Sequence, residues 1–187
     1  MPGKTNSTVC SREVYIRAAS GCTAGVAYTR HLLIDGNNLI HRWPDLHRAL
    51  TEEGSAVAHA RLGERVRVLH DFEQLRVSVV FDGRGPELSV ERPSAQLTFS
   101  YLYSPAGLTA DDVIEQLAAS AKTPADVLVA TGDQRERETI EALGAEWVSP
   151  EALAAWIERA VRAQTDTLAK RKQSVDRAWK QKDKNKE

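Results

Sequence analysis

Three short apolar runs that each stop at an aspartate constrain this chain more than any other feature. They are His31 to Asp35 (HLLID), Val77 to Asp82 (VSVVFD) and Val127 to Asp133 (VLVATGD). Leucine, isoleucine and valine without regular polar alternation suit strands buried on both faces, as in a parallel sheet. Gly36, Asn37 and Asn38 then supply residues that tolerate a sharp turn, which puts Asp35 at the carboxyl end of its strand. That edge of an open α/β sheet is where ligands collect, because the crossovers leave a crevice there. Packing gives no reason to deliver three carboxylates to one rim, since like charges repel and desolvate poorly unless a cation joins them.

The segments between these runs read as helices and further strands. Trp43 to Leu46 turns the chain, and Asp45 to Leu50 is predicted as a short helix. From Ser55 to Gln74, Val57, Ala60, Val66, Leu69 and Phe72 recur at three or four residues, with a gap across Leu62 and Gly63, which predicts an amphipathic helix. Arg61, Arg65, Arg67 and His70 cover much of its other surface and read first as a solvated face, second as an RNA-contacting stripe. Gly83 to Pro86 reads as a flexible basic loop that carries Arg84 beside the crevice, and Gln96 to Tyr103 as a third, edge-ward strand. Thr109 is placed to cap a helix through Leu117 whose first turn holds Asp111 and Asp112. Capping explains one of those acids better than two, and Glu115 shares a helical face with Asp111. A helix from Gln134 to Leu143, a fifth strand Glu146 to Val148, and a helix from Pro150 to Arg162 capped by Ser149 follow. Strands alternating with helices imply a parallel sheet covered on both faces.

The 187 residues, 42% of them apolar, suffice for one substantial core and are short for two. The expected division is a disordered extension over 1–30, one domain over 31–162, and a basic helix or tail over 163–187. The extension has Glu13 as its only acid, a weak resemblance to a targeting segment, and a variable extension is the plainer reading. Net charge is -1, so any affinity for a polyanion must come from local charge. From Arg162 onward nine bases stand against four acids, which reads as a solvated tail or as attraction to phosphates. Cys10 and Cys22 lack ligand companions, and the five histidines form no HxxxH or HxH pair, which disfavours a disulfide scaffold, a thiol nucleophile or zinc. Dinucleotide and P-loop readings lack their glycine-rich cradle. No run approaches the roughly 18 to 20 apolar residues that span a bilayer, so the expectation is a soluble, cytoplasmic protein with no membrane partner.

Carboxylate oxygens on a rim without His or Cys select Mg²⁺ or Mn²⁺. Such ions activate water and stabilise the leaving oxygen of a phosphodiester, so hydrolysis of a nucleic-acid backbone follows as the reaction class. Asp35 is the expected central ligand and Asp111 and Asp133 the opposing ones. Asp112 or Glu115 would orient metal-bound water, and Asn38 or the Thr131 hydroxyl would hydrogen-bond a carboxylate or a phosphate. Asp82 either joins the metal shell or caps the loop that follows it.

In order, LLIDGNNLI, VSVVFDG, TADDVIEQL, VATGD and GAEWVS resemble the YacP-like NYN domain within the PIN-like nuclease superfamily, over about His31 to Ala160. The resemblance implies a three-layer α/β/α Rossmann-like sandwich with a parallel sheet ordered 3-2-1-4-5. It also implies metal-dependent cleavage of RNA, with the family's acids falling on Asp35, Asp111 and Asp133. The further acid that many PIN domains carry after strand one has no convincing counterpart here, since only Glu64 or Asp71 is available, and Asp82 is the candidate substitute. Asn37 stands where a Tyr is frequent, a change expected to affect substrate contact more than metal binding. The leading expectation is therefore an Mg²⁺- or Mn²⁺-dependent endoribonuclease acting on single-stranded RNA, within a ribonucleoprotein assembly such as the ribosome. The alternatives are a non-catalytic RNA-binding adaptor and, more weakly, a small phosphatase or nucleotide hydrolase.

Overall fold

A computed structural model describes residues 30–93 and 96–184, with side chains as far as residue 174. The first twenty-nine residues, on which the expectation of an N-terminal extension falls, lie outside the described residues. The six strands are β1 (His31–Asp35), β2 (Arg76–Gly85), β3 (Ser89–Glu91), β4 (Phe99–Pro105), β5 (Val127–Ala130) and β6 (Glu146–Val148). They form one sheet in the order β3-β4-β2-β1-β5-β6. All pairings are parallel except that of β3 with β4. The five strands read from the sequence stand in the order expected of them, and β3 is added outside β4. That extra strand moves Phe99–Pro105 one place in from the edge.

The helices are α1 (Gly36–Arg42), α2 (Pro44–Glu52), α3 (Ser55–Glu73), α4 (Ala110–Ala119), α5 (Gln134–Ala142) and α6 (Pro150–Lys184). They cover two apolar clusters, one on each face of the sheet. Leu32, Ile34, Val77 and Val79 meet α1, α2, α3 and α6, whereas Leu33, Val80 and Val129 meet α4 and α5. Successive strand side chains point to opposite faces, so the unbroken apolar runs of β1 and β2 feed both clusters. Among the described residues no helix is long and apolar enough to cross a membrane.

Two local readings are corrected. Gly36-Asn37-Asn38 is not a turn, because the helix α1 begins at Gly36 with Asp35 as its N-cap. A Cβ at Gly36 would stand 2.2 Å from the buried Phe81 ring, so glycine here answers a close approach of helix to sheet. The gap in the apolar pattern of α3 has the same cause, since a Cβ at Gly63 would meet the Tyr101 hydroxyl. Gly83-Arg84-Gly85 is not a flexible loop but the end of β2, where the Gly83 amide donates to Ser104 Oγ at 3.1 Å. Beyond Arg162 the last helix continues to Lys184, about 50 Å from its start. The bases of α3 are mostly engaged within the chain: Arg61 pairs with Glu53, Arg65 with Asp45 and over Trp43, and Arg67 lies over Phe99. His70 is buried and bonded to Thr98 and Asp71, so it belongs neither to a solvated face nor to an RNA-contacting stripe.

Gly36→Ala should lower stability by about 1–3 kcal/mol despite alanine's better helix propensity, because the buried Phe81 ring cannot yield cheaply. Urea denaturation checks this, and an unchanged or raised midpoint would contradict the packing account.

Candidate active site

The carboxyl edge of the sheet collects its acids from three β–α junctions. Asp35 ends β1 between β2 and β5 and is only 4% exposed. Its Oδ1 accepts the Asn38 amide at 3.1 Å, as an N-cap does. Asp111 lies in the first turn of α4, half-buried. Glu136 is the third residue of α5 and only 2% exposed. One oxygen from each of Asp35, Asp111 and Glu136 lies within 4.8 Å of the others.

Asp133, expected as the third member, is not in this group. It is the N-cap of α5, and its Oδ1 accepts the amides of Arg135 at 2.7 Å and Glu136 at 3.2 Å. The chain after β5 therefore uses Asp133 to start the helix and turns Glu136 inward. Glu136 escaped the sequence reading because QRERE looks like an exposed helical start. The available signal was its spacing to Ile140 and Leu143, which puts a carboxylate on the apolar stripe of α5.

The other acids of the edge divide by role. Asp112 Oδ2 accepts from the Thr109 amide at 2.8 Å and its hydroxyl at 2.9 Å, while the Asp112 amide donates back to Thr109 Oγ1. This capping box explains one acid of the pair and leaves Asp111 for the site. Asp82 accepts the Ala110 amide at 2.8 Å and the Asn37 side-chain amide at 2.7 Å, so it ties α1 and α4 to β2. Glu115 adds negative potential at Asp111 from the same helix, outside the group of three. The Asn38 side-chain oxygen accepts the Gly132 amide at 2.8 Å, and Arg42 donates to the Gly132 carbonyl at 2.7 Å, which fixes the β5–α5 turn against α1. Thr131 is buried there, its hydroxyl accepting the Asp133 amide at 3.1 Å. Arg84 is exposed at the end of β2.

Burial without a counter-charge shifts these carboxyls. Desolvation pushes Asp35 up to about 7 and the charges of Asp111 and Asp82 add to it, against the opposing amide bond from Asn38. Desolvation also takes Glu136 to about 8, with Asp35, Asp111 and Asp133 contributing. A weak hydrogen bond from the Thr131 hydroxyl opposes that rise, and among the described residues no other partner reaches the two buried Glu136 oxygens. Asp111 is raised by desolvation and then by Asp133 and Asp82. Buried oxygens short of partners are costly in a folded protein, and a hard divalent cation among three carboxylates satisfies them. The donor set therefore fits Mg²⁺ or Mn²⁺ better than a soft metal. A cleft of about 490 Å³ opens beside Asp35, Asp82 and Asp111 and runs between α1 and the start of α3.

Comparison with known proteins bears on the family and the fold. A family model for the YacP-like NYN domain matches residues 32–187. A solved tryptophan-to-leucine mutant of Rae1 (YacP) from Bacillus subtilis is 27% identical, with a TM-score of 0.63 over 77% of this chain and 84% of that one. A second structure of Rae1 (YacP) from Bacillus subtilis is 26% identical, with a TM-score of 0.59 over 81% of this chain and 88% of that one. No curated protein matches. Family and neighbours together indicate a PIN-like nuclease fold.

The raised carboxyls set the sign of a pH effect. Between about pH 4 and pH 8 the folded, metal-free protein holds protons that the unfolded chain has released, so its stability should fall as pH rises. A loss on the order of several kcal/mol is expected in chelator, and Glu136→Gln should flatten the slope. Mn²⁺ should stabilise the wild type more at pH 8 than at pH 5, because binding needs the ionised carboxylates. Denaturant melts at the two pH values check this, and metal-free stability rising with pH would contradict the electrostatic account.

Proposed function

Because the chain belongs to the YacP-like NYN domain family, we propose that it is a metal-dependent endoribonuclease that hydrolyses phosphodiester bonds of single-stranded RNA. The observation that carries the reading is the buried Glu136 carboxylate, with no cationic partner among the described residues, gathered with Asp35 and Asp111 beside an open cleft. Asp35, Asp111 and Glu136 would hold the cation, with Asp133 adding charge from the rim. When bound, Mg²⁺ or Mn²⁺ supplies Lewis-acid polarisation of the phosphodiester and lowers the pKa of an attacking water.

The chain's own residues do the positioning. Asp35 is held by the Asn38 amide, and Asp111 is held because Asp82 and the Thr109–Asp112 capping box fix the first turn of α4. Glu136 is aimed by the Asp133 cap, and Asn38 clamps the Gly132 turn that carries it. Arg84, exposed on β2 two residues beyond Asp82, would supply a positive charge to a substrate phosphate. The basic residues of α6 supply longer-range attraction, as Lys170, Arg171 and Lys172 stand exposed on it. A ribonucleoprotein assembly such as the ribosome is the setting in which that helix would meet further phosphates.

Cleavage of a mixed RNA pool with Mn²⁺ and with chelator tests the reading. Wild-type protein should cut only with the metal, and Asp35→Asn or Glu136→Gln should reduce the rate by at least about a hundredfold while remaining folded. Asp112→Asn should instead cost about 1 kcal/mol of stability and leave cleavage largely intact. Equal signals with metal and with chelator would turn the reading toward an RNA-binding adaptor. Activity on mononucleotides alone would turn it toward a nucleotide hydrolase.

A further inference from the structure

The end of the cleft away from the carboxylates is built from different chemistry. His41 follows Asn37 by one helical turn on α1, and His59 follows Ser55 by one turn on α3, so each helix lines the cleft with one face. The His59 ring stacks on Phe81 with centroids 3.7 Å apart and planes 12° from parallel. Phe81 is fully buried, packs against Tyr103 at 5.6 Å and fills the space a side chain at Gly36 would need. Its ring is therefore a fixed backing, and the half-buried imidazole laid on it is held in one plane. Among the described residues neither His59 ring nitrogen has a hydrogen-bond partner. Burial lowers the His59 pKa against the smaller opposing effect of Glu91, so the ring is a neutral aromatic surface at pH 7 and not a phosphate-pairing cation.

We propose that this end of the cleft is a nucleobase subsite, in which a base of the RNA strand stacks on His59 while its neighbouring phosphate lies at Asp35 and Asp111. The proposal rests on the endoribonuclease reading above and deepens it. The cleft volume of about 490 Å³ lies in the ordinary range for a small-ligand site. Every base has a π-face, so the subsite holds the strand without demanding a sequence. Asn37 and Ser55 border the same cleft and offer polar groups to the base edge or ribose.

Steady-state cleavage and a fluorescent ligand test the subsite separately from the nuclease reading. His59→Ala should raise KM for a short oligoribonucleotide about tenfold and change kcat less than about threefold. His59→Phe should restore KM, and His59→Gln, which keeps hydrogen bonding without an aromatic face, should not. With Mn²⁺ and in an Asp35→Asn background, which cuts at least about a hundredfold more slowly, an oligoribonucleotide carrying a single 2-aminopurine should be quenched with His59 or His59→Phe but not with His59→Ala. Thermal melts confirm that each variant is folded. An unchanged KM and unchanged quenching in His59→Ala would overturn the subsite while leaving the nuclease standing. Rescue by glutamine but not phenylalanine would also overturn it, since a hydrogen bond rather than a stack would then be at work. If wild type with Mn²⁺ cuts no RNA at all, the endoribonuclease reading fails and the subsite falls with it.

Discussion

Burial of Asp35, Asp111 and Glu136 side by side, with desolvation the larger cost and their mutual repulsion the smaller, is the constraint on which the rest of the carboxyl edge depends. Burying three carboxyls within a few ångströms disfavours their ionised forms, and the upward shifts of Asp35 and Glu136 record that cost. Nothing in the packing of a parallel sheet demands the arrangement, so it has to be enforced. Asp35 caps α1, Asp111 sits in the first turn of α4 and Glu136 in that of α5, which brings the amino ends of helices toward the negative charge. Asp82, Asn38 and Asp133 spend their side chains on holding those ends in place. The edge is thus a set of acids that a cation would neutralise, framed by neighbours whose hydrogen bonds are already made.

The sheet was legible because its evidence is local. Apolar runs such as LLI and VSVVF have no other good place than a strand covered on both faces, and the polar segments between them carry helical spacing. What escaped was set by tertiary contact. Gly-Asn-Asn is turn chemistry by propensity, and only the Phe81 ring lying against Gly36 and the Asp35 cap make it the start of a helix. The edge strand Ser89–Glu91 has one apolar residue and no period of its own, and its place comes from the pairing of Val90 with Leu102. Gly83 to Gly85 read as flexible for the same reason, because glycine and arginine say nothing of the neighbouring β4 backbone.

At the site, spacing separated Asp111 from Asp112 only in part. A capped helix needs one acid at its third position, and the structure assigns that duty to Asp112 and leaves Asp111 turned to the edge. The same logic misleads one junction later. Asp133 ends an apolar run as Asp35 does, yet its oxygen is taken by the two amides that open α5, and the group of three is completed by Glu136 instead. A strand-end aspartate is both a ligand type and an N-cap type, and sequence cannot decide between them when a polar helix follows at once. The register of Glu136 with Ile140 carries the decision, since it fixes which face of α5 meets the sheet.

Phe81 links the two ends of the cleft. One side of its ring fills the space beside Gly36, so it sets how closely α1 approaches the sheet directly after Asp35. It also supports the His59 imidazole, so it sets the plane that ring offers to the cleft. The following residue, Asp82, bonds Asn37 on α1 and the first amide of α4. Two consecutive residues at the end of β2 therefore fix the spacing between the acid-bearing junctions and the aromatic wall. Phe81 is paired with Tyr103 of β4 and Asp82 follows it directly, where the register shifts, so the distance from carboxylates to stacking surface is set on β2 rather than in a free loop.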